Sequence, residues 1–182
     1  MLLISRHLTE YNIDIPEDAV IRINLAWEDD RGKLDYHLDN LIHDVFVDIP
    51  TGRTKPPATN WTLETVGQLC DEFNCIKYVA ASNVENDEVI YKYRHFLPHA
   101  VTIVPKIESV IGCENATTTI SALPTNTKRT IMIDHDDLFV DIMNRKLPPK
   151  SLYNEYILPL CNWCAQNDVR VLRTAGIVFA DH

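Results

Sequence analysis

Glycine is scarce, with five in 182 residues. No glycine-rich turn follows the first apolar segment, residues 2–5, so a dinucleotide-binding Rossmann sheet would lack the turn that cradles its ligand. Long hydrophobic runs are also missing. The opening MLLISR is too short for a signal peptide, and nothing approaches the roughly 20 apolar residues of a membrane span. Basic residues are the minority, 17 against 26 acidic, and the formal net charge is -9. That balance repels nucleic acid and anionic membrane surfaces, so an anionic ligand would need a local basic pocket. The five cysteines are odd in number and read as free thiols, Cys70, Cys75 and Cys113 as packing residues. Cys161-Asn162-Trp163-Cys164 has CxxC spacing but lies in a helical pattern with no second pair, which argues against zinc. These absences lead to the expectation of a cytoplasmic protein.

What is present is a repeating unit. A chain of this length with 46% hydrophobic and 24% charged residues can bury one substantial core, and no linker or composition break divides it, so residues 1–182 read as one domain. Short apolar, β-branched segments at 2–5, 19–26, 44–49, 77–82, 100–104, 130–133 and 169–172 alternate with helical patterns at 33–42, 63–74, 86–96, 116–123 and 151–167. Thr62 is placed to cap the second of these helices. Near-continuous apolar strands separated by helices imply parallel pairing with both faces covered. Alternation sharpens this, because Arg22 and Asn24, Asp48, Ser82, Lys106 and Glu108, and Arg170 and Thr174 each fall on one face of their strands. In a closed barrel that face is the interior, and polar groups at the carboxyl ends line the mouth. The expected fold is therefore α/β, a reduced (β/α) TIM-type barrel of about seven parallel strands.

Two segments carry most of the chemistry. Pro105-Lys106-Ile107-Glu108-Ser109 ends an apolar run in a lysine and a glutamate, and Ile131-Met132-Ile133-Asp134-His135-Asp136-Asp137-Leu138 ends another in aspartates. Lys106-Ile107-Glu108 resembles the Lys-Ile-Glu motif of the pyruvate kinase-like, phosphoenolpyruvate/pyruvate-binding barrels, and residues 131–138 resemble that superfamily's Ile-Met-Val-Ala-Arg-Gly-Asp-Leu. Arg22-Ile23-Asn24-Leu25 resembles its Arg-x-Asn-Phe. The segment from Asp48 through Pro50 to Lys55 resembles its Asp-Leu-Pro-Gly-Pro-Lys-Ile-Arg, and Val171 to Ala175 the stretch around its Ala-Thr-Gln. The resemblance implies that Glu108 and Asp137 bind Mg2+ or Mn2+. It implies that Lys106, Arg22 and Thr174 are catalytic and that Arg22, Asn24, Asp48 and Lys55 hold substrate. Magnesium suits a few carboxylates plus substrate oxygens, and an arginine fork suits a carboxylate or phosphate.

Departures from that pattern shift the expected activity. No lid domain follows the third strand, so nucleotide phosphoryl transfer of the pyruvate kinase type is an alternative rather than the main expectation. The main expectation is a magnesium-dependent lyase or transferase that stabilises the enolate of pyruvate or phosphoenolpyruvate. The rival is a non-catalytic ligand-sensing or assembly module, with Arg22, Lys106 and Glu108 as a buried ion network and Asp136 and Asp137 as a helix N-terminal turn. Seven strands would leave an open edge, so a homodimer or another partner chain is expected to cover it.

Overall fold

Apolar β-branched segments become seven strands: β1 (Leu3–Ser5), β2 (Val20–Asn24), β3 (Val45–Ile49), β4 (Ile76–Ala81), β5 (Thr102–Ile107), β6 (Thr130–Ile133) and β7 (Arg170–Arg173). The computed structural model describes residues 1–11, 14–28, 30–50 and 60–173. Every strand pairs in parallel with its chain neighbour, in the order β1 to β7 without inversion. A doubly wound sheet reverses its strand order and places helices on both faces. Unreversed order with right-handed crossovers keeps the helices on one face and lets the sheet curl away from them.

The helices are α1 (Arg31–Asn40), α2 (Leu63–Glu72), α3 (Glu88–Phe96), α4 (Val110–Glu114), α5 (Ala116–Ser121), α6 (His135–Asn144) and α7 (Leu158–Gln166). A π-helical stretch, Leu152–Ile157, leads into α7. Local chemistry fixes their starts. Thr62 and Thr65 form a reciprocal capping box at α2, while Asp30, Ser109 and Asp134 each accept a backbone N–H at the start of α1, α4 and α6. Gly112 lets α4 approach the loop that follows β4, where an added Cβ would stand 2.8 Å from the Val84 carbonyl oxygen.

Strand alternation sends side chains into two separate cores. The larger lies under the helices: Ile23, Val47, Val79, Ile103 and Ile133 pack against Leu34, Leu69, Ile90, Ile120 and Leu138. The smaller lines the concave face, with Val20, Phe46, Ala80, Val104, Met132 and Leu172 in contact, joined by Leu3 and Tyr78. All seven strands contribute to this second cluster, which is what a curled sheet packing on itself requires. Phe46 and Tyr78 stack there with ring centroids 6.2 Å apart.

Several boundaries differ from those read in the sequence. β5 runs through Pro105 to Ile107 because its partner changes there: Thr102 to Pro105 align with β4, and Lys106 and Ile107 with β6. The missing proline N–H falls where the pairing changes over. α4 is additional to the helices expected, and so is α6, which opens at His135 and holds Asp136 and Asp137 in its first turn. Among the described residues β1 and β7 remain the sheet edges, and closure into a complete barrel is not seen. The edges do approach, since Arg170 Nη1 donates to Met1 Sδ at 3.5 Å. No described helix is long and apolar enough to cross a membrane.

Candidate metal centre

The carboxyl ends of β2, β3, β5 and β6 deliver the charged residues of the concave face to one place. Arg22 on β2 donates from Nε to Asp48 Oδ2 at 3.1 Å, and its Nη2 pairs with the same oxygen. Lys106 Nζ lies 2.6 Å from Glu108 Oε1 and 3.8 Å from both Asp48 Oδ2 and Asp134 Oδ2. The Asn83 backbone N–H donates to Glu108 Oε2 at 2.6 Å. One oxygen from each of Glu108, Asp134 and Asp137 lies within 4.8 Å of the others. Four strand ends and a helix start thus meet around one small volume.

The inner part of this constellation is buried, with Asp48 1% exposed, Glu108 5% and Lys106 6%, while Asp134 is half-buried and Asp137 faces solvent. Four carboxylates against two cations leave two negative charges over when all are ionised. A buried group without compensation shifts toward its neutral form. Burial pushes the Glu108 carboxyl above its usual range and Asp134 adds repulsion, while Lys106 and the Asn83 N–H pull the other way without prevailing. For Lys106, burial alone would lower the pKa, but the charges of Asp48 and Glu108, the bond to Glu108 and the charge of Asp134 raise it overall. The lysine is therefore a fixed ammonium. Asp48 Oδ1 is buried without a hydrogen-bond donor among the described residues, so the acidic excess extends to β3. A hard divalent cation would satisfy such a set of oxygens.

Of the residues singled out in the sequence, Lys106, Glu108 and Asp137 converge, and Arg22 and Asp48 join them through the ion pairs. Asn24 stands at the end of β2 and its side-chain oxygen accepts the Ala26 N–H at 2.9 Å, holding the turn that follows. Lys55 and Thr174 lie outside the described residues. The third carboxylate, Asp134, was not among the expected ligands. Alternation carries the signal for it, since Met132 lies in the concave cluster and Asp134 is two residues further on. Asp136 is exposed and lies outside the carboxylate cluster.

Beyond the carboxylates, Arg173 Nε donates to His135 Nε2 at 3.2 Å, and the guanidinium carbon stands 6.0 Å from the centre of the Tyr153 ring. On the far side, Arg6 pairs with Glu28 at 2.7 Å and Glu10 at 3.1 Å and donates to His37 Nε2 at 3.1 Å.

The architecture defines the class: an α/β protein with a curled, all-parallel, seven-stranded sheet carrying an acidic cluster at the carboxyl end. No protein-family description and no curated protein matches the chain. Among solved structures, the chain is similar to RipC from Yersinia pestis, at 14% identity and a TM-score of 0.56, over 89% of this chain and 72% of that one. Likeness at that identity establishes the fold alone.

Proposed function

We propose that the protein is a magnesium-dependent enzyme that binds pyruvate or phosphoenolpyruvate and stabilises its enolate, for carbon–carbon bond chemistry or group transfer. The observation that carries this reading is the meeting of Glu108, Asp134 and Asp137 oxygens within 4.8 Å, with the Lys106 ammonium bonded to the first of them. On this reading the curled sheet is a pyruvate kinase-like barrel whose mouth is the active site.

Glu108, Asp134 and Asp137 are the residues that would hold the ion. Magnesium bound there would supply positive charge to the substrate oxygen on which the enolate charge develops. Lys106 is the second source of that charge: a buried, permanently protonated ammonium that favours the anionic form of any neighbouring substrate oxygen. Arg22 commits Nε and Nη2 to Asp48, which fixes the plane of its fork and leaves Nη1 for a substrate carboxylate or phosphate. The Asn83 N–H holds Glu108 in its rotamer from the opposite side.

A second reading has a specific observation behind it. Lys106 Nζ contacts three carboxylates and can itself serve as the cation of the cluster, making a structural ion network that needs no metal. Mn2+ binding followed by water-proton relaxation separates the two, together with exchange of pyruvate methyl protons for deuterium in the presence of Mg2+. The enzyme reading expects one tight Mn2+ site and exchange that Glu108→Gln reduces at least about 100-fold. No Mn2+ binding by the native chain overturns it, and binding without exchange leaves a ligand-sensing module.

A further inference from the structure

Between the start of α2 and the face of α3 lies a cavity of about 580 Å³ whose lining is mostly apolar. That is ample for a small organic ligand. Its walls are Trp61, Leu63, Val89, Tyr93 and Phe96, and its polar groups include Ser82, Asn83, Lys92 and Glu64. Two of these are donors in want of an acceptor. Ser82 is only 9% exposed, and its hydroxyl, which has no hydrogen-bond partner among the described residues, keeps its accessible surface in the cavity it lines. Lys92 is exposed and has no ion-pair partner among them.

Position adds to composition. Ser82 continues the alternation of Tyr78 and Ala80, which belong to the concave cluster, so the cavity's inner end lies beside the mouth of the curled sheet. The next residue, Asn83, holds Glu108 through its N–H and adopts a left-handed φ of 52°, a conformation asparagine tolerates better than most residues. The cavity and the acidic centre thus share one turn of chain.

We infer that this cavity is a ligand site of its own, for a small aromatic monocarboxylate. The aromatic walls take a flat ring, and the carboxylate meets the Ser82 hydroxyl and the Lys92 ammonium. The positive end of α2, whose first turn lines the cavity, favours the same charge. Exposed Glu64 on that turn disfavours a second negative charge, which sets the ligand's valence at one. This site stands independently of the metal chemistry.

The test is a titration of the full chain with 2-naphthoate without divalent metal, followed by 15N–1H correlation spectra. Saturable shifts are expected at residues 61–64, 82–83 and 89–96. Lys92→Met should weaken binding about 10-fold or more and Glu64→Gln should tighten it. Lys92 and Glu64 are exposed, so neither change threatens the fold. Shifts that do not saturate, shifts centred elsewhere, or affinity unchanged by Lys92→Met would each overturn the assignment.

Discussion

The two faces of the sheet solve different problems. The convex face is apolar from β2 to β6 and covered by helices, and its strand residues there join one continuous core. The concave face divides along the strand direction. Val20, Phe46, Ala80, Val104, Met132 and Leu172 fill the interior, while Arg22, Asp48, Lys106, Glu108 and Asp134 crowd its carboxyl end. Burying unlike charges brings a desolvation penalty that pairing roughly offsets at best. The apolar plug already closes the interior, so the charged crown is not needed to hold the sheet together. It is the arrangement that the proposed metal site would require.

That contrast can be broken with two variants measured side by side by denaturant unfolding. Phe46→Ala removes the largest fully buried ring of the plug, which also stacks on Tyr78, and should cost about 3–5 kcal/mol. The double variant Lys106→Met with Glu108→Leu deletes an ion pair of the crown that is buried on both sides and changes no net charge. It should stay within about 1 kcal/mol of the native chain, because apolar replacements of similar size often match a buried pair. A double variant as damaging as Phe46→Ala would show that the crown is structural after all.

The same division explains what the sequence disclosed. Period-two alternation within each strand named the concave residues correctly, because a strand has no other way to place them. Lys106 and Glu108 fall together on that ground, whereas Asp137, in the first turn of α6, rested on the family resemblance alone. Asp134 was obscured by serving two elements at once: it follows β6 on the concave side and accepts the Asp137 N–H at 3.5 Å as the cap of α6. With no turn residues between strand and helix, α6 itself carried no start signal beyond its aspartates. The extension of β5 was hidden by Pro105, which normally argues against a central strand. Whether β1 and β7 close on one another depends on packing across the whole interior, and no local pattern encodes that.

A smaller effect tests the convex side, where the helices pack on each other as well as on the sheet. Gly67 sits buried in α2 directly against the backbone carbonyl of Phe96 at the end of α3, and an added Cβ would collide with that rigid atom. Helix propensity alone favours alanine over glycine by about 1 kcal/mol. Contact with backbone rather than a flexible side chain should reverse that preference, so Gly67→Ala should lower stability by about 1–3 kcal/mol. A stabilised variant would mean that α2 and α3 can slide apart freely, and thermal unfolding monitored by circular dichroism reads the sign directly.

The smallest expected effect lies at the outer rim, beyond both cores. Arg6 donates to His37 Nε2, a bond that requires the neutral ring. Burial first, and then the charge of Arg6, depress the His37 pKa below its usual 6.5, with Lys33 adding to the depression and Glu28 and Glu10 opposing it. The unfolded chain therefore takes up this proton at a higher pH than the folded one. The neutral ring's contribution is complete above pH 6.5 and is lost as the pH falls from there through the folded-state pKa. Because the ring is partly solvated, the change should not exceed about 0.5 kcal/mol. Stability measured between pH 7.5 and 5.5 should fall less steeply in His37→Gln than in the native chain. Parallel pH profiles would place the titrating group elsewhere and leave the Arg6 cluster without a proton-linked role.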